Sequence, residues 1–179
     1  QRKSLACIPI HFGIGGAADR NGVGTALAIQ KVLPDIEIDM PYSHDPELGF
    51  GIEFFPKLRL HKVIGQEEYW RDTLSYALLG VNLDVRYTWG RFPTNCACLG
   101  VPCVGCDRNG TQAALFPTLT VQDPFKETDR ILELIGRLAE DEKFWMETVQ
   151  YAAKAVEQFG ERATAKRFYA AVKEIGVEL

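Results

Sequence analysis

A short apolar run that leads into a block of glycines most constrains the fold of this chain. Residues 5–10 have the length and composition of a buried β-strand. Residues 13–24 carry five glycines in twelve positions, which predicts a loop. A helix is expected from Asn21, a good N-cap residue, because apolar residues then recur at helical spacing until Pro34. A strand, a glycine loop and a helix in that order indicate the start of an α/β domain.

Apolar segments of strand length alternate with helical segments along the rest of the chain. Strands are predicted from alternating or continuous apolar runs, and helices from apolar residues three and four positions apart; residues 41–56 are turn-rich and give no clear prediction. The predicted strands are 36–40, 58–64, 82–87 and 102–105, and the predicted helices are 67–79, one that starts at Asp123-Pro124, 142–159 and 161–175. This pattern predicts an α/β fold with a mostly parallel sheet and a helical carboxyl-terminal third.

Composition and charge exclude several classes of protein. The 179 residues are enough for one domain with a buried core. A net charge of -4 gives no general attraction for nucleic acid or for an anionic membrane, and no apolar run reaches the roughly 18 residues of a transmembrane helix. The first residue, Gln1, suggests a piece of a longer protein. Five cysteines are an odd number that suits a reducing compartment, so we expect a cytoplasmic location.

Four of the five cysteines lie in the segment CACLGVPCVGC, residues 96–106. A structural zinc site needs four converging thiolates, usually from two C-x-x-C turns, and only Cys103 and Cys106 have that spacing. Free cysteine also behaves as a small buried apolar residue. We therefore predict no metal site here, but a helix of small residues, a Gly-Val-Pro turn and a buried strand.

The glycine block matches the pattern G-x-G-x-x-A through Gly13 and Gly15, with Asp39 near the end of the second predicted strand. That arrangement is found in dinucleotide-binding domains, where the acidic residue binds a ribose. The polar residues that follow the glycines separate them from the helix, and a lone match is weak. A looser prediction is that the glycine loop, with Arg20 and the helix start at Asn21, cradles a phosphate group.

The second half of the chain contains a series of motifs in a recognisable order. The segment YTWGRFPTN (87–95) precedes the cysteine segment, and DRNGT (107–111), LTVQDP (119–124) and LAEDE (138–142) follow it. This order resembles the carboxyl-terminal half of GT-B glycosyltransferases of the retaining, glycogen-synthase-like kind. The strand, glycine loop, helix and Leu33-Pro-Asp at the front of the chain are similar to the start of the same domain.

The resemblance implies that residues 1–179 form a single Rossmann-like domain that binds a nucleoside-diphosphate sugar, such as a UDP- or GDP-sugar, without another cofactor. An amino-terminal half outside this chain would hold the acceptor, whether a sugar, a lipid or a protein, so the fragment alone is expected to be inactive. Arginine side chains and helix amides would bind the phosphates, and Asn95 the ribose. With the glycine loop, the candidate donor-binding residues are Gly13, Gly15, Arg20, Asn21, Arg91, Phe92, Thr94 and Asn95.

Two positions depart from the family pattern. The family has two glutamates eight residues apart, and Tyr87 and Asn95 stand in their places. The Asn95 amide can still hydrogen-bond a ribose hydroxyl, whereas Tyr87 supplies no carboxylate. The predicted function is therefore that of a glycosyltransferase donor-binding domain. The alternatives are an NAD- or FAD-binding domain of an oxidoreductase and a binding module without catalytic activity.

Overall fold

A six-stranded sheet forms the centre of the protein. The computed structural model describes residues 5–8, 23–42, 57–62, 66–85, 90–108 and 110–174. All described strand pairs are parallel, and the strand order is β3-β2-β1-β4-β5-β6. The strands are β1 (Leu5–Cys7), β2 (Glu37–Tyr42), β3 (Leu58–Lys62), β4 (Leu79–Asn82), β5 (Cys103–Cys106) and β6 (Thr120–Val121). The predicted α/β fold with a parallel sheet is confirmed.

Helices cover both faces of this sheet. Three of them, α3, α4 and α6, contact one another, and α1 contacts α5. The helices are α1 (Val23–Val32), α2 (Gln66–Asp72), α3 (Arg91–Cys98), α4 (Gln112–Leu115), α5 (Thr128–Glu140), α6 (Glu142–Ala155) and α7 (Glu161–Glu174). Short 3-10 turns lie at Leu74–Tyr76, Pro117–Leu119 and Val156–Phe159. None of the helices that the structure describes has the length and hydropathy of a membrane span.

The central strands are buried on both faces because helices pack on each side of a parallel sheet. Every residue of β4 and β5 is buried. On α5, the predicted apolar stripe is confirmed: Ile131, Leu134, Ile135 and Leu138 are all buried. Complete burial of one such side chain contributes about 1.5–3 kcal/mol. The core therefore joins the sheet to the helical carboxyl-terminal third.

Two predicted boundaries around β4 were wrong. The helix predicted over 67–79 ends at Asp72, a 3-10 turn follows, and Leu79 already belongs to β4. The strand predicted over 82–87 is β4 itself, which ends at Asn82. The apolar residues that precede Asn82 fit the apolar face of a helix and a buried strand equally well. They form a strand because β4 pairs with β1 on one side and with β5 on the other.

The start of α5 also differs from the prediction. Asp123 does not cap a helix; its Oδ1 accepts a 3.0 Å hydrogen bond from the amide of Phe125 in a turn. The helix begins later, at Thr128, and Glu127 accepts hydrogen bonds from the amides of Gln122 and Asp123. An aspartate makes the same local bond in an Asx turn as in a helix cap, so the sequence signal does not distinguish them.

The start of α6 agrees with the prediction. Asp141 caps the helix, because its Oδ1 accepts a 2.9 Å hydrogen bond from the amide of Phe144. That bond, with nearby Arg137 adding a smaller contribution, lowers the pKa of the Asp141 carboxyl. After the 3-10 turn that follows α6, Gly160 ends this helical segment and α7 begins at Glu161, as predicted.

Candidate functional site

The strand order places a crevice between the carboxyl ends of β1 and β4. From β1 the sheet is built outward in one direction through β2 and β3, and from β4 in the other through β5 and β6. Ligands of open parallel sheets bind at such a reversal, outside the carboxyl ends of the strands. Ile8 follows β1 at this edge of the sheet, and β4 ends there at Asn82. Gly13, Gly15, Arg20 and Asn21 follow β1 in sequence but lie outside the described residues, so their predicted roles stay predictions.

The start of α3 supplies the described part of this crevice. Gly90 precedes the helix in a left-handed conformation, with φ 68° and ψ 43°. Its carbonyl oxygen accepts hydrogen bonds from the Thr94 amide at 3.1 Å, the Thr94 hydroxyl at 2.9 Å and the Thr111 hydroxyl at 2.9 Å. The amide of Thr94, which we expected to bind phosphate, is therefore already used within the protein.

Two backbone donors at the start of α3 have no acceptor among the described residues. The first amides of a helix have no acceptor within it, Pro93 has no N–H, and Gly90 has no side chain to act as a cap. No described residue accepts a hydrogen bond from the amides of Arg91 or Phe92. The Arg91 side chain is exposed at the same helix end, without a described acidic partner. Open amides, the helix dipole and a guanidinium together favour an anion at this position.

A glycine on β4 lets α3 lie close to the sheet. A Cβ at Gly80 would lie 2.9 Å from Cys96 Sγ and 3.0 Å from the Phe92 ring. Both side chains of α3 therefore rest on the backbone of the strand. This close packing fixes the distance between the helix start and the carboxyl end of β4.

Asn95 connects α3 to α2. In the amide orientation that satisfies both neighbours, its oxygen accepts from Trp70 Nε1 at 3.0 Å and its nitrogen donates to the Arg91 carbonyl at 3.3 Å. A primary amide has two N–H groups and two lone pairs. One donor and one acceptor position of Asn95 thus remain for a ribose hydroxyl, the role expected from the sequence. Tyr87, its counterpart in the family pattern, lies outside the described residues.

Two buried polar residues at and just after the end of β4 were not singled out from the sequence. Asn82, the last residue of β4, is 3% exposed, and Asp84 is 2% exposed. Alternation along an extended chain places both on the side of the sheet that Gly80 and α3 occupy. Each has a hydrogen bond or electrostatic interaction in the structure. Polar residues at the end of an apolar strand are a sequence signal for such positions. This signal depends on the strand boundary, and the predicted boundary of β4 was wrong.

The cysteines of residues 96–106 do not form a metal cage. They lie on α3 and β5, joined by a turn, as predicted. Cys96, Cys103 and Cys106 are buried, and Cys98 is exposed. Among the described residues no group of three His, Cys, Asp or Glu side chains could hold a metal. Burial and contact with Cys103 raise the pKa of Cys96 well above its usual value, so its thiol stays protonated at neutral pH.

Asp39 does not lie where a dinucleotide-binding acid would be needed. It is the third residue of β2, which continues to Tyr42. Three residues of strand place it about 10 Å back from the carboxyl end. It is 6% exposed and pairs in register with Cys7 of β1, whose pKa burial raises to about 12. The expectation that Asp39 ends the second strand is therefore wrong.

The fold is similar to that of two solved structures. The crystal structure of the GtfA/B complex matches with a TM-score of 0.68 and 15% identity, over 97% of this chain and 36% of that chain. The glycotransferase of kitacinnamycin matches with a TM-score of 0.60 and 16% identity, over 93% of this chain and 42% of that chain. At these identities the similarity establishes the fold, and the chain spans about two fifths of the proteins that it matches. No family model matches the sequence, and no curated protein is significantly similar to it.

Proposed function

We propose that this chain is the donor-binding part of a GT-B glycosyltransferase and binds a nucleoside-diphosphate sugar. The supporting observation is that 93% of the chain shares its fold with only 42% of a glycotransferase. A domain that covers less than half of such an enzyme is expected to bind one of its two substrates. The motif order from residues 87 to 142 supports the donor side, of the retaining, glycogen-synthase-like kind.

In this proposal the diphosphate lies at the start of α3. The amides of Arg91 and Phe92 donate to phosphate oxygens, and the Arg91 guanidinium adds a charge-assisted contact. Asn95 binds the ribose through the donor and acceptor that its contacts with Trp70 and Arg91 leave available. Arg20 and the glycine loop, which follow β1 in the sequence, are predicted to bind the same phosphates.

Transfer would rest on stabilising the charge of the departing diphosphate, which fixed amides and arginines do without rearrangement. The acceptor would be bound by a part of the protein beyond this chain. Tyr87 and Asn95 stand where the family pattern has two glutamates. The chain could therefore bind the donor without transferring its sugar, as a binding module without catalytic activity would.

Isothermal titration calorimetry with UDP and GDP tests the proposal. Arg91→Ala is expected to weaken binding by about tenfold, the value of one charge-assisted contact of about 1.4 kcal/mol. Arg71→Ala is the matched control: it removes an exposed arginine that pairs with Asp72 at the end of α2, near the amino end of β4. Equal affinity of the wild type and Arg91→Ala for UDP and GDP would contradict phosphate binding at the start of α3. Arg20→Ala is expected to weaken binding by more than tenfold.

A dinucleotide-binding oxidoreductase domain is the second candidate, because this strand order is also that of dinucleotide-binding folds. The position of Asp39 inside β2 argues against it. A thermal-shift panel of UDP, GDP, NAD and FAD separates the two. Stabilisation by NAD or FAD alone would favour the oxidoreductase, and no stabilisation by any of the four would favour a non-enzymatic module.

A further inference from the structure

A buried hydroxyl in the segment that follows β5 holds the start of α3. Thr111 is 7% exposed and lies 21 positions after Gly90, yet its Oγ1 donates a 2.9 Å hydrogen bond to the Gly90 carbonyl. The Thr94 hydroxyl donates to the same oxygen and lies 3.4 Å from the Thr111 hydroxyl. Two threonines, one from within α3 and one from outside it, thus hold a single carbonyl group.

Gly90 needs such an external contact. Glycine adopts left- and right-handed conformations with similar ease, so its own backbone does not select the observed φ of 68°. No side chain caps the helix at this residue. The bonds from Thr94 belong to α3 and would move with it. Among the described hydrogen bonds of the Gly90 carbonyl, the one from Thr111 comes from outside α3, and Gly90 has a further interaction besides these three bonds.

Thr111 also belongs to the segment that follows β5. Its own carbonyl accepts a 3.0 Å hydrogen bond from the amide of Leu115, the last residue of α4. The next residue, Gln112, is fully buried and donates a 2.9 Å hydrogen bond from Nε2 to the carbonyl of Cys103 on β5. The Thr111 hydroxyl therefore projects from a backbone that is itself fixed to the sheet. These contacts connect the Gly90 carbonyl to β5.

We propose that Thr111 is a positioning residue for an anionic ligand at the start of α3. It does not touch the ligand; its hydroxyl fixes Gly90, and Gly90 sets the direction of the Arg91 and Phe92 amides that follow. Hydrogen bonds to an anion require their donors aligned to within about 10–20°. Loss of the Thr111 hydroxyl removes the described bond to this carbonyl from outside α3, so we expect the Gly90 peptide and the amides that follow it to be held less firmly. This inference rests on the proposed function and gives a role to Thr111, to which the motif DRNGT assigned none.

Three variants test it. Thr111→Val keeps the shape of the side chain and removes the hydroxyl, and Thr111→Ser keeps the hydroxyl. Thr120→Val is the matched control, because Thr120 Oγ1 donates a comparable 2.8 Å bond to the Phe116 carbonyl away from α3. By calorimetry with UDP and GDP, Thr111→Val is expected to lose about tenfold in affinity, Thr111→Ser at most about threefold and Thr120→Val less than about twofold. If Thr111→Val does not fold, Thr111→Ala removes the same hydroxyl without the added methyl and is evaluated in the same way.

A second measurement separates positioning from general stability. In amide NMR spectra without ligand, Thr111→Val is expected to shift or broaden the signals of Arg91 and Phe92, and Thr120→Val to leave them unchanged while it lowers the melting temperature. Wild-type binding with equal affinity in Thr111→Val would overturn this inference and leave the proposed function standing. If the wild type binds neither UDP nor GDP, the proposed function is wrong and this inference fails with it.

Discussion

The indole Nε1 of Trp145 donates a 2.8 Å hydrogen bond to the carbonyl oxygen of Leu78, the residue that precedes β4. The two residues are 67 positions apart, so this bond joins the helical carboxyl-terminal third directly to the entrance of a central strand. It lies partly buried, where a lost partner is not fully replaced by water. The sheet and α6 should therefore unfold as one unit.

Trp145→Phe is expected to lower the free energy of unfolding by about 1–3 kcal/mol. The substitution keeps an aromatic ring against the core and leaves the Leu78 carbonyl without its indole donor. Urea unfolding followed by circular dichroism measures the change. Tyr151→Phe, on an exposed position of the same helix, is the control and is expected to change stability by less than about 0.5 kcal/mol. Equal effects of the two variants would contradict the prediction.

Gly90→Ala and Gly136→Ala are expected to change stability in opposite directions. At Gly90 the φ of 68° is unfavourable for alanine, and a Cβ would collide with the Thr111 hydroxyl, so we expect a loss of about 2 kcal/mol or more. At Gly136, within α5, a Cβ would meet only Val32 Cγ1 at 3.8 Å, an ordinary contact. Alanine at this position is expected to raise the free energy of unfolding by about 0.5–1 kcal/mol. Thermal and urea unfolding of both variants would show whether the signs differ.

Cys98 is expected to be the thiol that reacts fastest with a disulfide reagent such as DTNB in the native protein. It is exposed, whereas the other four cysteines are buried. The time course of the reaction with DTNB at neutral pH should show one thiol equivalent that reacts fast, and the other four thiols should react only after unfolding. Cys98→Ser should remove the fast phase without affecting the slow one. A fast phase that survives this substitution would show that the core thiols are accessible.

Stability is expected to fall as the pH rises above about 9. Burial raises the pKa of the Cys7 thiol from 9.0 to about 12, and it also raises the pKa of Tyr69 well above its usual value. Between pH 9 and 12 the unfolded chain loses the Cys7 proton and the folded chain keeps it. The contribution of Cys7 is thus complete below pH 9 and declines by at most about 1.4 kcal/mol per pH unit above it.

Urea unfolding between pH 7 and 11 measures this dependence. Cys7→Ser removes the ionisable thiol and should make the decline shallower, whatever it does to stability at pH 7. A decline of unchanged slope in Cys7→Ser would assign the effect to other groups.

Much of the architecture could be predicted because periodicity reports burial. The stripe on α5 and the cap at Asp141 were identified from local patterns, and the structure contains both. Boundaries failed where one pattern allows two structures, as at Leu79, whose neighbours fit a helix or a buried strand. Pairing between strands that are distant in sequence settles such positions.

The candidate site was predicted less completely than the fold. The helix start near Arg91 was found from a motif, but the amide of Thr94 proved to be used internally. The contact between Gly90 and Thr111 spans 21 positions and follows no periodicity, so no sequence rule indicates it. Such contacts depend on the packing of two loops, which becomes known only with the strand order.

The two edge strands of the described sheet affect the tendency of the protein to aggregate. A sheet edge presents unpaired amides and carbonyls that can recruit a strand from another molecule. At one end of the described sheet β6 has only two residues, and at the other β3 carries Arg59, which forms a 2.9 Å ion pair with Glu37 of β2. A short strand and a charged one are poor templates for cross-β growth, so neither edge of the described sheet favours pairing with a strand of a second molecule.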